Sequence, residues 1–165
     1  MDMTSKESAT MDYIYSDGIT LSLSAEVYRK FLAYMNNYDF KIENGGIIVG
    51  ILNPAEKQII ATDVTEPQKK DRCSALGYKR AEFGHQEIMD KLWEESQHTK
   101  TYLGEWHTHN QRIPQPSFID RRNWLEISRR KQNSDWLFFV IVGTEQIGIW
   151  TIVSGKIVQM NRATH

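Results

Sequence analysis

The run Gly46-Ile47-Ile48-Val49-Gly50-Ile51-Leu52 constrains this chain more than any other stretch, because it contains no polar side chain and is stopped abruptly by Asn53-Pro54. A sheet with one wet face alternates apolar and polar residues, whereas a continuous branched run is expected of a central strand covered on both faces. Gln58 to Val64 reads as its neighbour in the sheet. Upstream, Tyr13 to Tyr15 and Ile19 to Leu23 flank Ser16-Asp17-Gly18, an Asp-Gly turn signal, and predict a hairpin. Ser24 then caps a helix whose apolar positions Val27, Phe31, Tyr34 and Met35 share one face, ending near Asn36-Asn37.

Farther along, Glu66 to Arg80 has little periodicity and reads as a surface loop, with Lys69, Lys70 and Arg72 as a solvated basic stretch. A second amphipathic helix is expected from His85 to about His98, then a short strand over Thr101 to Trp106 and a proline-bearing loop over Asn110 to Pro116. Ser117-Phe118-Ile119-Asp120 resembles a capping box with Asp in place of the usual Glu or Gln, opening a helix that runs to about Lys131. Trp136 to Gly143, Ile147 to Val153 and Lys156 to Met160 complete the chain as a meander of strands. Strands alternating with helices, with no internal repeat and no linker, predict one α/β sandwich. Residues 1–12 are expected to form a flexible N-terminal tail, and residues 13–165 the domain.

At 165 residues the chain is long enough to bury a real core without staples. Its 20 Lys and Arg against 21 Asp and Glu leave a formal charge of -1, so no global field draws it to nucleic acid or an anionic membrane surface. The longest apolar run, Trp136 to Val142, falls far short of the roughly 20 residues of a membrane span. The polar start lacks a signal-peptide core, and the single cysteine, Cys73, excludes an internal disulfide or a thiolate-rich metal site. A cytoplasmic protein is expected, with neither nucleic acid nor membrane as a partner.

Chemistry concentrates in Gly104-Glu105-Trp106-His107-Thr108-His109-Asn110 and the ten residues after it. On a strand, residues two apart point to the same side, so His107 and His109 offer two imidazoles to one point. Asp120, returned by the loop to a helix start, adds a carboxylate. Two nitrogens and one oxygen with a fourth position open is the arrangement of a catalytic zinc, whereas structural zinc sites are closed and cysteine-rich. Such a site still needs a proton carrier, and Glu43, just before the buried strand, is the candidate general base and acid. Ser117 is placed to donate a hydrogen bond to a developing oxyanion, in competition with its capping role. Arg112, in the loop between the ligands, is the candidate for substrate contact. Trp106, by alternation, faces away from both imidazoles. Trp93, Trp124, Trp136 and Trp150 read as core, and His85, His98 and His165 as surface or cap residues.

The spacing His107-x-His109, seven residues, Ser117, two residues, Asp120, with Glu43-Asn44-Gly45-Gly46 upstream of an apolar strand, resembles the JAMM motif of JAB/MPN-domain metallopeptidases. The likeness covers nearly the whole chain and implies a deaminase-like α/β domain with a mixed β-sheet flanked by helices. It also implies one catalytic Zn2+ on His107, His109 and Asp120, with Glu43 as general acid/base and Ser117 as oxyanion stabiliser. Asn110 stands where many members have Pro, which alters loop stiffness but removes no ligand. Within the family, Trp-His-Thr-His with Pro-x-Pro-Ser and Asp-Arg-Arg-Asn-Trp is most similar to stand-alone bacterial proteins, including those of CBASS antiphage operons. That resemblance implies an isopeptidase that cleaves after the C-terminal tail of a conjugated nucleotidyltransferase or ubiquitin-like protein. An operon-encoded activating or conjugating enzyme would be its functional partner.

Other chemistries fail on the residues. A zincin needs His-Glu-x-x-His, which is absent; a zinc deaminase needs a Cys-x-x-Cys pair, which one cysteine cannot supply. A cysteine peptidase built on Cys73 beside Arg72 would need a paired histidine, and a lone exposed thiol is the expected reading instead. Two readings share the same residues with the isopeptidase: a conjugate-binding module with a vestigial metal site, and a hydrolase of small peptides or amides.

Overall fold

The computed structural model describes residues 10–15, 18–37, 42–68, 71–74, 77–79, 82–130 and 136–164. In chain order, β1 (Met11–Ile14) and β2 (Thr20–Leu23) precede α1 (Ala25–Asn37), and β3 (Gly45–Asn53) passes through a 3-10 turn (Pro54–Glu56) into β4 (Gln58–Val64). Next come β5 (Arg72–Ser74), β6 (Gly77–Lys79), α2 (Glu82–Glu95), β7 (Thr101–Thr108) and α3 (Phe118–Ser128). The chain closes with β8 (Phe138–Val142), β9 (Ile147–Val153), β10 (Lys156–Gln159) and β11 (Asn161–Arg162).

Nine strands form one mixed sheet in the order β10-β9-β8-β7-β3-β4-β2-β1-β11, while β5 and β6 pair with each other. β2 runs parallel to β4 and β7 parallel to β8; the other pairings are antiparallel. β3 is central, as its unbroken apolar run demands, and the pleat divides its side chains between two cores. Ile48 joins Val27 and Phe31 of α1, together with Leu21, Leu103, Trp106, Phe138 and Val140. Ile47 and Val49 face the other way, against Met89 of α2. β8 divides similarly, with Phe139 and Ile141 packing under Trp124 and Ile127 of α3. One helix thus covers one face of the sheet and two cover the other. Phe31, with no solvent exposure, anchors the first core, and truncating such a side chain to Ala costs about 3–5 kcal/mol.

A bulge sets the phase of β7. Ile48 pairs with Gly104 but Val49 with Tyr102, leaving Leu103 as the extra residue, so that Leu103 and Trp106 both reach the α1 side. β10 and β11, at opposite ends of the strand order, are separated in sequence by Met160 alone. Met160 is buried and its N–H donates to Ile149 O at 2.9 Å.

Several expectations are corrected. The segment Glu66 to Arg80 contains the hairpin β5–β6, whose strands are too short for alternation to register. The first strand begins at Met11, inside the stretch read as tail, and β11 follows β10 unannounced. α3 ends at Ser128; Lys131, like Ser16, Asp17, Lys69, Lys70 and His165, lies outside the described residues, as do the side chains of Arg72 and Cys73. Trp93, expected in the core, is 42% exposed and stacks on His98 at 3.7 Å, because α2 buries the stripe through Met89 and Leu92 instead. His85, expected at the surface, is fully buried; a polar residue with satisfied partners leaves no trace in a hydrophobic pattern.

Candidate active site and metal centre

Glu43 and the two histidines meet because β3 and β7 are direct neighbours, with Gly45 opposite His107. A Cβ on Gly45 would lie 2.1 Å from Trp106 O, and one on Gly46 2.1 Å from Thr65 O, so both glycines permit approaches that no side chain allows. Thr108, the middle residue of the His-x-His pattern, then grips the residue after Glu43. Its N–H donates to Asn44 O at 2.8 Å, and Asn44 N–H donates to Thr108 Oγ1 at 3.0 Å. His109, one residue beyond β7, is held by its N–H donating to Val142 O at 3.0 Å. Both imidazoles therefore stand at the carboxyl ends of the parallel pair β7 and β8, where open α/β sheets place their ligands.

The loop to Asp120 is anchored along its length. Thr144 N–H donates to Gln111 O at 2.8 Å and Gln146 N–H to Arg112 O at 3.1 Å. The Arg112 guanidinium forks onto Glu145 at 2.9 and 3.1 Å, so its donors are shared with a carboxylate rather than presented alone. Gln111 Oε1 accepts from Gln115 N–H at 3.0 Å and lies 3.2 Å from His109 Nδ1. An acceptor there favours a proton on Nδ1 and leaves the Nε2 lone pair facing the site.

α3 delivers the carboxylate through the capping box anticipated from the sequence. Ser117 Oγ accepts from Asp120 N–H at 3.1 Å and Ser117 N–H donates to Asp120 Oδ2 at 2.8 Å. The Ser117 hydroxyl hydrogen finds no acceptor among the described residues. Capping uses the oxygen lone pair and oxyanion donation would use the hydrogen, so the two roles expected to compete are compatible.

His107 Nε2 and His109 Nε2 lie 3.0 Å apart, His107 Nε2 is 3.4 Å from Asp120 Oδ1, and His109 Nε2 is 3.2 Å from Asp120 Oδ2. Ligands about 2.0–2.1 Å from a tetrahedral ion stand about 3.3–3.4 Å apart. With the two histidines reaching different Asp120 oxygens, the triangle of side chains approximates that spacing, and His107, His109 and Asp120 are the group among the described residues that could hold a metal ion. Glu43 Oε1 lies 3.8 Å from His109 Nε2, beside that triangle. Trp124 packs against His107 with ring centroids 6.4 Å apart and walls the site on the α3 side.

The electrostatics separate the two carboxylates. Burial pushes the Glu43 carboxyl above its ordinary value, against the pull of both histidines and with Asp120 adding to the rise. Burial acts in the same sense on Asp120 but is outweighed by hydrogen bonds from His107 and His109, which hold it well below the usual carboxylate range. His109 is lowered by burial yet raised overall by its hydrogen bond and charge interaction with Asp120 and by Glu43. The two carboxylates are thus shifted in opposite directions, Asp120 down and Glu43 up.

The structure thus brings Glu43, His107, His109, Ser117 and Asp120 together, and places Arg112 on an ion pair in the same loop. Thr108 and Gln111 escaped the sequence reading, and only Thr108 carried a signal, its place inside the pattern; Trp124, read as core, is core and also walls the site. A separate cavity of about 410 Å³ between α1 and the C-terminal segment, lined by Tyr28, Leu32, Met35, Met160 and Arg162, contains none of these residues.

Residues 24–153 match the family described as prokaryotic homologs of the JAB domain. Relatives bearing the name CD-NTase/cGAS isopeptidase include a protein of Escherichia coli (strain TW11681), 31% identical over 103 residues that span 62% of this chain and 65% of the relative. Another, from Pseudomonas aeruginosa (strain BWHPSA011 / Pa011), is 30% identical over 78% of this chain and 80% of its own. A third, from Vibrio cholerae serotype O1 (strain ATCC 39315 / El Tor Inaba N16961), is 28% identical over 73% of this chain and 74% of its own. The solution structure of protein DSY2949 from Desulfitobacterium hafniense superposes with a TM-score of 0.55 over 84% of this chain and 88% of that one, at 15% identity, a likeness of fold. With most of its length matched by the family, this chain belongs to the prokaryotic JAB-domain proteins.

Proposed function

We propose that this chain is a cytoplasmic zinc-dependent isopeptidase that releases a CD-NTase-type nucleotidyltransferase, or a ubiquitin-like protein, from conjugates made by an activating or conjugating enzyme of the same antiphage operon. The convergence of two imidazoles and a carboxylate beside Glu43, whose carboxyl pKa is raised by burial, supports it most directly. The names of the relatives supply the substrate class. A pure binding module has no physical need for Glu43 next to a complete donor set.

His107, His109 and Asp120 would hold the ion through the three atoms that face one another. When bound, zinc polarises the scissile carbonyl and acidifies a water. Glu43 accepts the proton of the attacking water and returns it to the departing amine, a task suited to a carboxyl whose affinity for protons is raised by burial. Ser117 donates its free hydroxyl hydrogen to the carbonyl oxygen as charge develops there. The substrate tail lies extended and pairs with a sheet edge, since a disordered C-terminus is most easily read through its backbone. The hairpin β5–β6, which joins no other sheet among the described residues, offers that edge. Arg112 contacts the substrate from the loop between the ligands.

The test is cleavage of tail-reporter fusions by wild type, Glu43→Gln and chelator-treated protein. Turnover by wild type alone is expected, with Glu43→Gln at least about 100-fold slower while retaining its zinc. Full activity of Glu43→Gln would remove the residue from the mechanism, and an inert, zinc-loaded wild type would favour a small-amide hydrolase or a binder.

A further inference from the structure

We infer that His85 is a positioning residue: with Thr65 and Asp71 it clasps the neck of the β5–β6 excursion and fixes the hairpin edge relative to the strands that carry Glu43 and His107. The substrate half of this inference rests on the tail recognition proposed above.

His85 lies in the first turn of α2, just after the hairpin, and Asp71 lies just before it. The His85 side chain is fully buried, and its Nε2 is 2.9 and 3.1 Å from the two Asp71 oxygens. A carboxylate only accepts, so Nε2 carries the hydrogen, and the contact bridges both ends of the excursion. Nδ1 faces Thr65 Oγ1 at 2.6 Å, and that oxygen already accepts Ile47 N–H at 2.8 Å. The bonds form one continuous chain from the β3 backbone through the Thr65 hydroxyl and the imidazole to Asp71. Asp71 also closes its own turn: Gln68 N–H donates to its carboxylate at 2.8 Å, and Asp71 N–H donates to Gln68 O at 3.0 Å.

Thr65 joins this clasp to the candidate active site. Its N–H donates to Ile47 O at 3.0 Å, its carbonyl accepts Trp106 Nε1–H at 2.9 Å, and it packs where Gly46 lacks a side chain. Gly46 and Trp106 are a register pair, adjacent to the pair Gly45 and His107. One step along two paired strands thus separates the clasp from the candidate ligand.

Such a device is required because a two-stranded hairpin with three residues per strand has almost no stability of its own. Its orientation must come from its root. An apolar contact would bury area there as effectively, but would not fix direction; directional bonds at both ring nitrogens specify one geometry.

The test compares Asp71→Ala, Asp71→Asn and His85→Leu with wild type, measuring zinc content, steady-state kinetics on a tail-reporter fusion, and amide exchange at residues 72–74 and 77–79. Asp71→Ala and His85→Leu are expected to keep their zinc and a kcat within about twofold of wild type while KM rises about tenfold, the weight of a small ladder of backbone bonds. Exchange in the hairpin should accelerate about tenfold, with β7 and α3 unchanged. Asn retains an acceptor for Nε2–H, so Asp71→Asn should restore both values toward wild type. Unchanged hairpin exchange in both disruptive variants would overturn the clasp. Faster exchange with unaltered KM, or a loss confined to kcat, would overturn its link to substrate. A wild type inert on every tail would strike the isopeptidase reading and the substrate half together, and the exchange data would still decide the clasp.

Discussion

Removing the Ser117 hydroxyl separates two effects that the geometry superimposes on one atom. Its oxygen caps α3 and braces the backbone of Asp120, while its hydrogen is free for the substrate. Replacing a capping Ser by Ala costs about 1 kcal/mol, and replacing it by Gly only a few tenths. For a chain of this length about 1 kcal/mol lowers Tm by about 2–4 °C, so Ser117→Ala should melt visibly earlier and Ser117→Gly nearly with wild type. Loss of an oxyanion donor is a different quantity, about 2.7–4 kcal/mol in the transition state or 10²–10³ in kcat. Both variants remove the same hydrogen, so both should lose that factor in kcat despite their unequal stabilities, with zinc content preserved. Thermal melts beside single-turnover cleavage give the two axes. If Ser117→Gly recovered activity in proportion to its stability, the hydroxyl would act through the helix start alone and the oxyanion assignment would be wrong.

Gly45→Ala drives a methyl to within 2.1 Å of Trp106 O and should cost well over the ~1 kcal/mol of an average substitution, with loss of metal content read by elemental analysis. Thr108→Val leaves Asn44 N–H without its acceptor, an expected penalty of about 1–3 kcal/mol in denaturant melts, and should lower turnover because Glu43 is the next residue. Zinc binding must displace the proton that the raised His109 pKa retains, so affinity should weaken up to about tenfold per pH unit below that pKa, with calorimetry showing proton release that varies with the buffer. Affinity independent of pH between 5 and 8, to about a factor of two, would contradict that protonation state. Arg112→Ala breaks a solvent-exposed pair and should leave Tm unchanged while raising KM; an unaltered KM would confine Arg112 to holding its loop.

What was legible in the sequence was whatever repeats or punctuates. β4 and β9 match their expected ranges because alternation and flanking turns mark both ends, and α1 is delimited by Ser24 and its apolar face. The site residues were readable because a metal requires particular donor types at particular spacing, so His107, His109 and Asp120 announce themselves before their positions are known. The adjacency of Glu43 to them was not readable: it depends on β3 pairing with β7 across 62 residues of chain, which local pattern cannot encode. The β5–β6 hairpin and the His85 clasp escaped for the same reason. Their order comes from a few long-range polar bonds, which leave the residues looking hydrophilic and aperiodic.

The single residue between β10 and β11 has a consequence during synthesis. The first strand of the sheet pairs with the last, so β1 waits until Arg162 has left the ribosome before it gains its outer neighbour. Until then the nascent chain exposes two open strand edges, β1 at one end and β9 at the other, each a template for pairing with another chain. The seven residues from Lys156 to Arg162 cover both edges together. Aggregation during expression should therefore respond to disruption of Lys156–Arg162 more than to conservative changes in the core.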